Sequence, residues 1–246
     1  IAELDGQKNS VKVTVNGISS KRKIDYVRDV MPVLSKLGCN AGTCHGSKDG
    51  RNGFKLSLRG YDPIYDVRAF TDDLASRRVN IAAPDNSLIL LKSSAAVPHE
   101  GGQLTKMGED YYEILKSWIS NGAKLDTGSV RVASIELFPR NSVVQKIGDQ
   151  QQMRVIATYA NGEKRDVTAE SFIETGNSDV ATTDKTGLVS TERRGEAPML
   201  ARYEGAYAST IVTVMGDRSG FEWQDISANN MVDEFVAAKL KRTKTL

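Results

Sequence analysis

The apolar positions of this chain keep one rhythm up to about residue 128 and another beyond it. In the first stretch they recur at helical spacing. Tyr26, Val27, Val30, Val33, Leu34 and Leu37 mark a helix over 25–37, because residues three and four apart share one helix face. Pro32 falls inside it and predicts a kink or a late helix start. A second helical pattern covers 65–74, and Ala83-Pro84-Asp85-Asn86-Ser87 signals a start ahead of Leu88-Ile89-Leu90-Leu91. The clearest helix runs over 109–121, with Tyr112, Leu115, Trp118 and Ile119 on one face and Gly122 ending it. Alternation at 11–15, and again at Phe54, Leu56 and Leu58, predicts short strands or an extended edge.

Asp126-Thr127-Gly128-Ser129 is a linker, and the texture changes after it. Short β-rich runs at 132–137, 152–159, 168–174, 188–190, 198–203 and 206–214 are separated by turn signals. Asn161-Gly162 is a hairpin turn between two of them. Such spacing predicts a β-sandwich. Past residue 216 the pattern shifts again, to an amphipathic helix over 230–240 that runs into Lys239, Lys241, Arg242 and Lys244. A basic end of this kind complements the helix dipole. The chain therefore divides into 1–128, 129–216 and 217–246, the last part being the start of a further domain or tail.

Composition narrows the function classes. The 246 residues are 39% hydrophobic and 26% charged, with a formal net charge of +2. That is an ordinary globular balance, and its weak field gives no reason to expect nucleic acid as a partner. No apolar run is long enough to span a bilayer. A chain that starts at Ile1 fits a processed or trimmed amino terminus.

The chemistry is concentrated in Cys39-Asn40-Ala41-Gly42-Thr43-Cys44-His45, which uses both cysteines and one of the two histidines. Two thiols with a histidine directly after the second suit covalent haem attachment: each thiol adds across a vinyl group and the imidazole takes the iron. The spacer here is longer than the two residues usual for that chemistry. Gly42 is available for a positive φ that would let the longer loop curl. The same residues admit other readings. A Cys39–Cys44 disulfide would close a small loop. A zinc site would need Cys39, Cys44, His45 and the distant His99, an unusual ligand set. A redox dithiol would more often have two intervening residues.

The surrounding text resembles a known family. Asp29-Val30-Met31-Pro32-Val33-Leu34, Gly38 to Gly46, Gly53-Phe54-Lys55-Leu56-Ser57-Leu58-Arg59-Gly60-Tyr61-Asp62, Pro84-Asp85-Asn86-Ser87-Leu88, Val97-Pro98-His99-Glu100-Gly101-Gly102 and Trp118-Ile119-Ser120-Asn121-Gly122-Ala123 follow one another in the order of the planctomycete-type cytochrome c domain. Residues 130–216 resemble a group 2 bacterial immunoglobulin-like domain, through Ile135-Glu136-Leu137-Phe138-Pro139, Tyr159-Ala160-Asn161-Gly162, Arg165-Asp166-Val167-Thr168, Asn177-Ser178-Asp179-Val180-Ala181 and Gly187-Leu188-Val189. The tail from Phe221 resembles the opening of the domain that follows in large exported planctomycete proteins. The resemblance implies a multidomain fold: a mainly α cytochrome c-like haem domain, then an all-β immunoglobulin-like sandwich.

It also implies one covalent haem c, with Cys39 and Cys44 as thioethers and His45 as the proximal metal ligand. His99, Met107 and Met31 compete for the distal position, beside an open or water-bound iron. His99 leads, since it stands in a Pro- and Gly-containing loop ahead of the last helix, where comparable small cytochromes hold a distal methionine. Met107 is the alternative and Met31 ranks last. A second imidazole would set a low potential and a thioether a higher one. Phe54, Leu56, Leu58, Leu88, Leu91 and Trp118 are candidates for the apolar wall. Arg59, Arg77 and Arg78 are candidates for pairing with propionates, or are ordinary surface charge.

The function so implied is an exported, periplasmic or equivalent, monohaem c-type module for electron transfer, and not an enzyme. Its partner would be another redox protein or downstream domains of the same parent. The alternatives are a non-redox exported binding or adhesion module with a Cys39–Cys44 disulfide, and a haem sensor with an open axial site.

Overall fold

The computed structural model describes residues 2–4, 7–10, 12, 14, 23–73 and 77–245. A small antiparallel pair, β1 (Ala2–Leu4) and β2 (Gln7–Asn9), opens the chain. The strand expected over 11–15 lies largely outside the described residues.

Asp25 starts the helical half by accepting from the Arg28 amide at 2.9 Å. Residues Tyr26–Val30 then wind as a wide π-type turn before α1 (Met31–Lys36) takes over. Of the two outcomes expected at Pro32, the late helix start is the one found. The proline sits in the first turn of α1, where a missing N–H costs nothing, and the wide turn before it absorbs the change of pitch. Gly38, at φ 78°, ends the helix and hands the chain to Cys39. Next come α2 (Pro63–Thr71), capped by Asp62, and α3 (Leu88–Ser93). The expected end of α2 at Leu74 lies outside the described residues. The fourth helix, α4 (Asp110–Ser120), buries Tyr112, Leu115, Trp118 and Ile119, the face predicted for it. These helices close one core around Tyr26, Val30, Leu34, Leu56, Phe70, Leu90 and Trp118.

The alternation of Phe54, Leu56 and Leu58 does not make a strand. Arg51 and Phe54 form a single bridge, and the chain then runs into a tight turn at Leu58–Gly60. Phe54 is half-buried, Leu56 buried and Leu58 exposed, so the period-2 burial holds for the first two positions and fails at Leu58. No strand lies beside it, because its amides bond to the loop around Cys39 and His45 instead.

The second half is an antiparallel sandwich. Strands β3 (Val132–Phe138), β6 (Arg154–Tyr159) and β7 (Lys164–Asp166) form one sheet. In another, β4 (Val143–Val144), β12 (Ala206–Val214), β11 (Gly195–Tyr203) and β8 (Phe172–Thr175) lie in that order, β4 running parallel to β12. The third joins β5 (Gln150–Gln152), β10 (Leu188–Thr191) and β9 (Ala181–Thr183). The run expected over 152–159 is thus divided between sheets. Its hinge is Met153, fully buried, whose amide bonds to Gly187 O at 2.9 Å. The β11–β12 hairpin turns through Glu204 and Gly205, at φ 46° and 81°, the backbone that two-residue hairpin loops prefer.

Helical and β halves meet across a polar seam. Arg165 on β7 donates to Asp29 at 2.9 Å and to Glu170 at 2.6 Å. Arg28 lies 4.1 Å above the Tyr159 ring and pairs with Glu163 at 3.0 Å. The Tyr203 hydroxyl donates to Arg28 O at 2.9 Å, and Lys36 donates to Ser171 O.

The last helix, α5 (Met231–Arg242), is capped by Asn230. Its basic end pairs with Glu196 through Lys239 and Arg242. Its apolar positions, expected to bury one face, stay exposed: Met231, Val232, Phe235 and Val236 meet no core. Among the described residues no helix is long and apolar enough to cross a membrane.

Candidate cofactor site at Cys39, Cys44 and His45

The loop after α1 is wound from successive tight turns. Cys39 N donates to Leu34 O, Cys44 N to Ala41 O, His45 N to Cys39 O and Gly46 N to Ala41 O, all within 2.9–3.0 Å. Asn40 is buried, and its side-chain amide donates to Ser35 Oγ at 2.9 Å. Gly42, expected to supply a positive φ, does not adopt one; the turns close without it. The glycine the loop needs is Gly46, where a Cβ would stand 2.1 Å from Asn40 O. Gly46→Ala is expected to destabilise the fold by about 1–3 kcal/mol, the usual range for overpacking, as read by denaturant unfolding.

Both cysteines are free thiols and half-buried. Burial, with a smaller push from Cys44, raises the Cys39 pKa to about 12, so this sulfur is a thiol and not a thiolate at neutral pH.

His45 is fixed from one side. Its Nδ1 stands 3.0 Å from Phe54 O, and its ring lies 4.7 Å from the Phe54 ring. Burial lowers its pKa against the opposing pull of the Phe54 carbonyl, and the charges of His99, Arg78 and Arg51 lower it further. The imidazole is therefore neutral at pH 7. With Nδ1–H assigned to the carbonyl, Nε2 carries the lone pair.

His99 is held in the same manner, its Nδ1 3.2 Å from Gly102 O. Gly101 makes room for the ring, since a Cβ there would meet His99 Cε1 at 2.7 Å. The two histidines lie near enough for the charge of one to act on the other.

The remaining predicted residues divide. Phe54 touches His45 directly, and Leu58 flanks the loop, its Cδ1 3.6 Å from where a Gly42 Cβ would be. Leu88 and Leu91 are half-buried on α3. Leu56 and Trp118 are packed inside the helical core. The buried Arg78 spends its guanidinium on Ala69 O, Asp73 and Gly53 O and lies 4.6 Å above the Phe54 ring. It pins the Arg51–Phe54 turn behind His45. Arg59 and Arg77 are exposed. Met31 is buried beneath Gly60, whereas Met107 is exposed. Among the described residues no group of three or more His, Cys, Asp or Glu stands close enough to hold an ion, so the zinc ligand set, already unusual on sequence, is not brought together. A haem iron, bound from two faces, needs no such cluster.

Sequence reasoning missed Asn40, Gly46 and the pair Ser57 and Asp66. Asp66 gave a signal: it is an acid three and four positions from Ala69 and Phe70, inside the apolar stripe of α2.

The β-rich half has a known counterpart. Residues 131–201 match the bacterial Ig-like domain (group 2). Solved structures similar to the chain include S-layer protein SbsC domains 4 and 5, at 14% identity and a TM-score of 0.31, covering 35% of this chain and 53% of that one. SbsC domains 5–6 follow at 16% identity and 0.30, covering 35% and 45%. Surface layer protein SbsC domains 1–6 match at 15% identity and 0.32, covering 39% and 14%. The chain thus spans about half or less of these solved chains, and likeness this slight says nothing about function. No curated protein sequence matches the chain. The family match ends within the β half, and the helical half stands on its own residues.

Proposed function

We propose that the helical half is a haem-attachment module of the planctomycete cytochrome c type, serving electron transfer, with the Ig-like half as its structural mount. One observation carries this reading. The Nδ1 atoms of His45 and His99 each face a backbone carbonyl, at 3.0 Å and 3.2 Å, an arrangement in which Nε2 of each ring would carry the lone pair for a metal. Anchoring of the second nitrogen is what orients a ligating imidazole. Cys44 stands immediately before His45 and Cys39 six positions before it, and no disulfide joins them. The donor set fits haem c: Cys39 and Cys44 for the vinyl groups, His45 and His99 for the iron. Bound haem would supply exchange of one electron between ferric and ferrous iron, at a low potential under two imidazoles. Phe54 and Leu58 would give it apolar contact, and Arg59 and Arg77 are the guanidinium groups left for its propionates. Residues 1–128 would then hold the cofactor, 129–216 present it, and 217–246 lead elsewhere. Covalent attachment of this kind takes place outside the bacterial cytoplasm, so the reading carries an exported location. The electron partner is another redox protein or a further part of the same one.

The Ig-like match favours a second reading, in which the whole chain is a non-redox structural or adhesion module. One experiment separates the two. The chain is exported from a host with haem-attachment machinery, then weighed denatured and scanned oxidised and reduced. The proposal expects a mass increase of one haem, sharp reduced bands, and loss of the covalent adduct in the Cys39→Ser/Cys44→Ser double variant. His99→Ala is expected to change the axial spectrum and raise the potential. A colourless protein, or one lighter by two hydrogens, would leave the structural module as the function.

A further inference from the structure

Asp66 is buried in the first turn of α2 and forms no ion pair among the described residues. Both of its oxygens go to one residue. Ser57 N donates to Oδ1 at 2.5 Å and Ser57 Oγ to Oδ2 at 2.8 Å. The same hydroxyl accepts from Asp62 N at 2.9 Å. Ser57 is the midpoint of a strap lying across the cysteine loop. On one side Leu56 N donates to His45 O at 2.8 Å; on the other Arg59 N donates to Asn40 O at 3.0 Å. The strap therefore grips the loop near both ends, and one carboxyl group grips the strap.

We propose that Asp66 is the positioning residue of the Cys39–His45 loop, and that its carboxyl group latches the strap more tightly when protonated than when ionised. The neutral acid keeps both contacts with Ser57: one oxygen still accepts from the amide, and the O–H donates to the hydroxyl. The carboxylate keeps them too, but in a place that water reaches only if the strap lifts. The groups facing it offer no positive charge. Asp62 stands on the N-terminal side of α2, and the buried Tyr26 phenol, whose hydroxyl lacks a hydrogen-bond partner, faces it from the turn before α1. Lys48 and Lys55 line the open groove beside Asp62 and Tyr65. Burial raises the Asp66 pKa to about 6, against the two Ser57 bonds and with a further push from Asp62. With the strap lifted, the group would titrate in water at about 3.9. Opening should then grow with pH between those values and level off above them, by up to roughly 100-fold. The latch stands without haem; its consequence for an iron ligand rests on the reading above.

Amide hydrogen exchange on the chain as purified tests it, with rates corrected for intrinsic pH dependence. Protection of Leu56 and Arg59 is expected to fall by up to roughly 100-fold from about pH 4 to about pH 7, while the amides of α4 do not follow. In Asp66→Asn the fall should vanish. His45 and His99 remain in that variant, so their titration cannot imitate the effect. Should Asp66→Asn not fold, Ser57→Ala is expected to lower protection at pH 4 and flatten the slope. Equal slopes in wild type and variant, or protection that rises with pH, would overturn the proposal. With haem attached, the midpoint potential is expected to drift across the same interval in wild type and not in Asp66→Asn. A colourless protein that still shows the exchange pattern would retire the haem reading and keep the latch; a haem protein with flat exchange would do the reverse.

Discussion

Arg165→Ala should destabilise the protein by about 3–5 kcal/mol, because it removes the arginine shared by two carboxylates in a seam that water barely enters. Side-chain exposure is 15% for Arg165, 3% for Asp29 and 11% for Glu170, at separations of 2.9 and 2.6 Å. The guanidinium forks between them, which lysine, as a single point charge, cannot reproduce. Arg165→Lys is therefore expected to fall between wild type and alanine. The triad also fixes one half of the chain against the other, since Asp29 belongs to the turn before α1 and Arg165 to β7. Asp29 is itself engaged with the Asp25 amide at 2.9 Å, so loss of the arginine beside it would disturb the cap that starts the helical half. The cost lies in the buried carboxylate charge that Arg165 no longer offsets, more than in the lost attraction. Neutralising the acids together with the arginine, as in Asp29→Asn/Glu170→Gln/Arg165→Met, should thus recover much of the loss. Urea unfolding of the three variants measures this. A loss below about 1 kcal/mol for Arg165→Ala would class the triad with exposed ion pairs, which contribute little.

Nothing in the local pattern announces this triad. Arg165 reads as part of a turn-like Arg-Asp-Val-Thr string, and its partner Asp29 lies 136 positions away. Hydrophobic periodicity reports which positions go inside; it does not say what a charged residue meets there. The same limit explains the run expected over 152–159. The run is continuously β-like, yet a buried Met153 passes the chain from a pairing with β10 to one with β3. Where burial alone decides, the sequence was legible. The apolar face of α4, the stretch 206–214 and the Asn161-Gly162 hairpin fall where spacing and turn chemistry put them. At the cysteine loop the sequence singles out Cys39, Cys44 and His45 as candidates. Their support was not legible: the Phe54 carbonyl that orients His45, and the close fit of Gly46 against Asn40, are backbone facts no residue type declares.

Trp118 shows how one spacing can serve two roles, and its replacement is the other large effect expected. On sequence it is a candidate wall for a cofactor, because it shares the inner face of α4 with Leu115 and Ile119. In the fold it is buried between the Tyr26 ring at 5.2 Å and the Phe70 ring at 5.9 Å, and its Nε1 donates to Lys124 O at 3.0 Å. Phe70 in turn meets Phe54 at 5.1 Å, and Phe54 meets His45 at 4.7 Å. Trp118 thus supports His45 through two other rings and does not touch it. Trp118→Ala should cost about 3–5 kcal/mol, the range for emptying a large aromatic site in a packed core. Trp118→Phe, which keeps most of the volume but orphans the Lys124 carbonyl, should cost nearer 1–3 kcal/mol. The two roles predict opposite readouts. A core residue lowers the unfolding midpoint and leaves the bands of a haem-loaded protein in place under native conditions. A wall residue moves the bands at small cost in stability. Trp223 remains as a fluorophore in either variant, so unfolding is better followed by circular dichroism than by emission. Shifted bands with a loss under about 1 kcal/mol, well below the cavity range, would put Trp118 back beside the cofactor, and with it a rearrangement of α4 that the present packing does not contain.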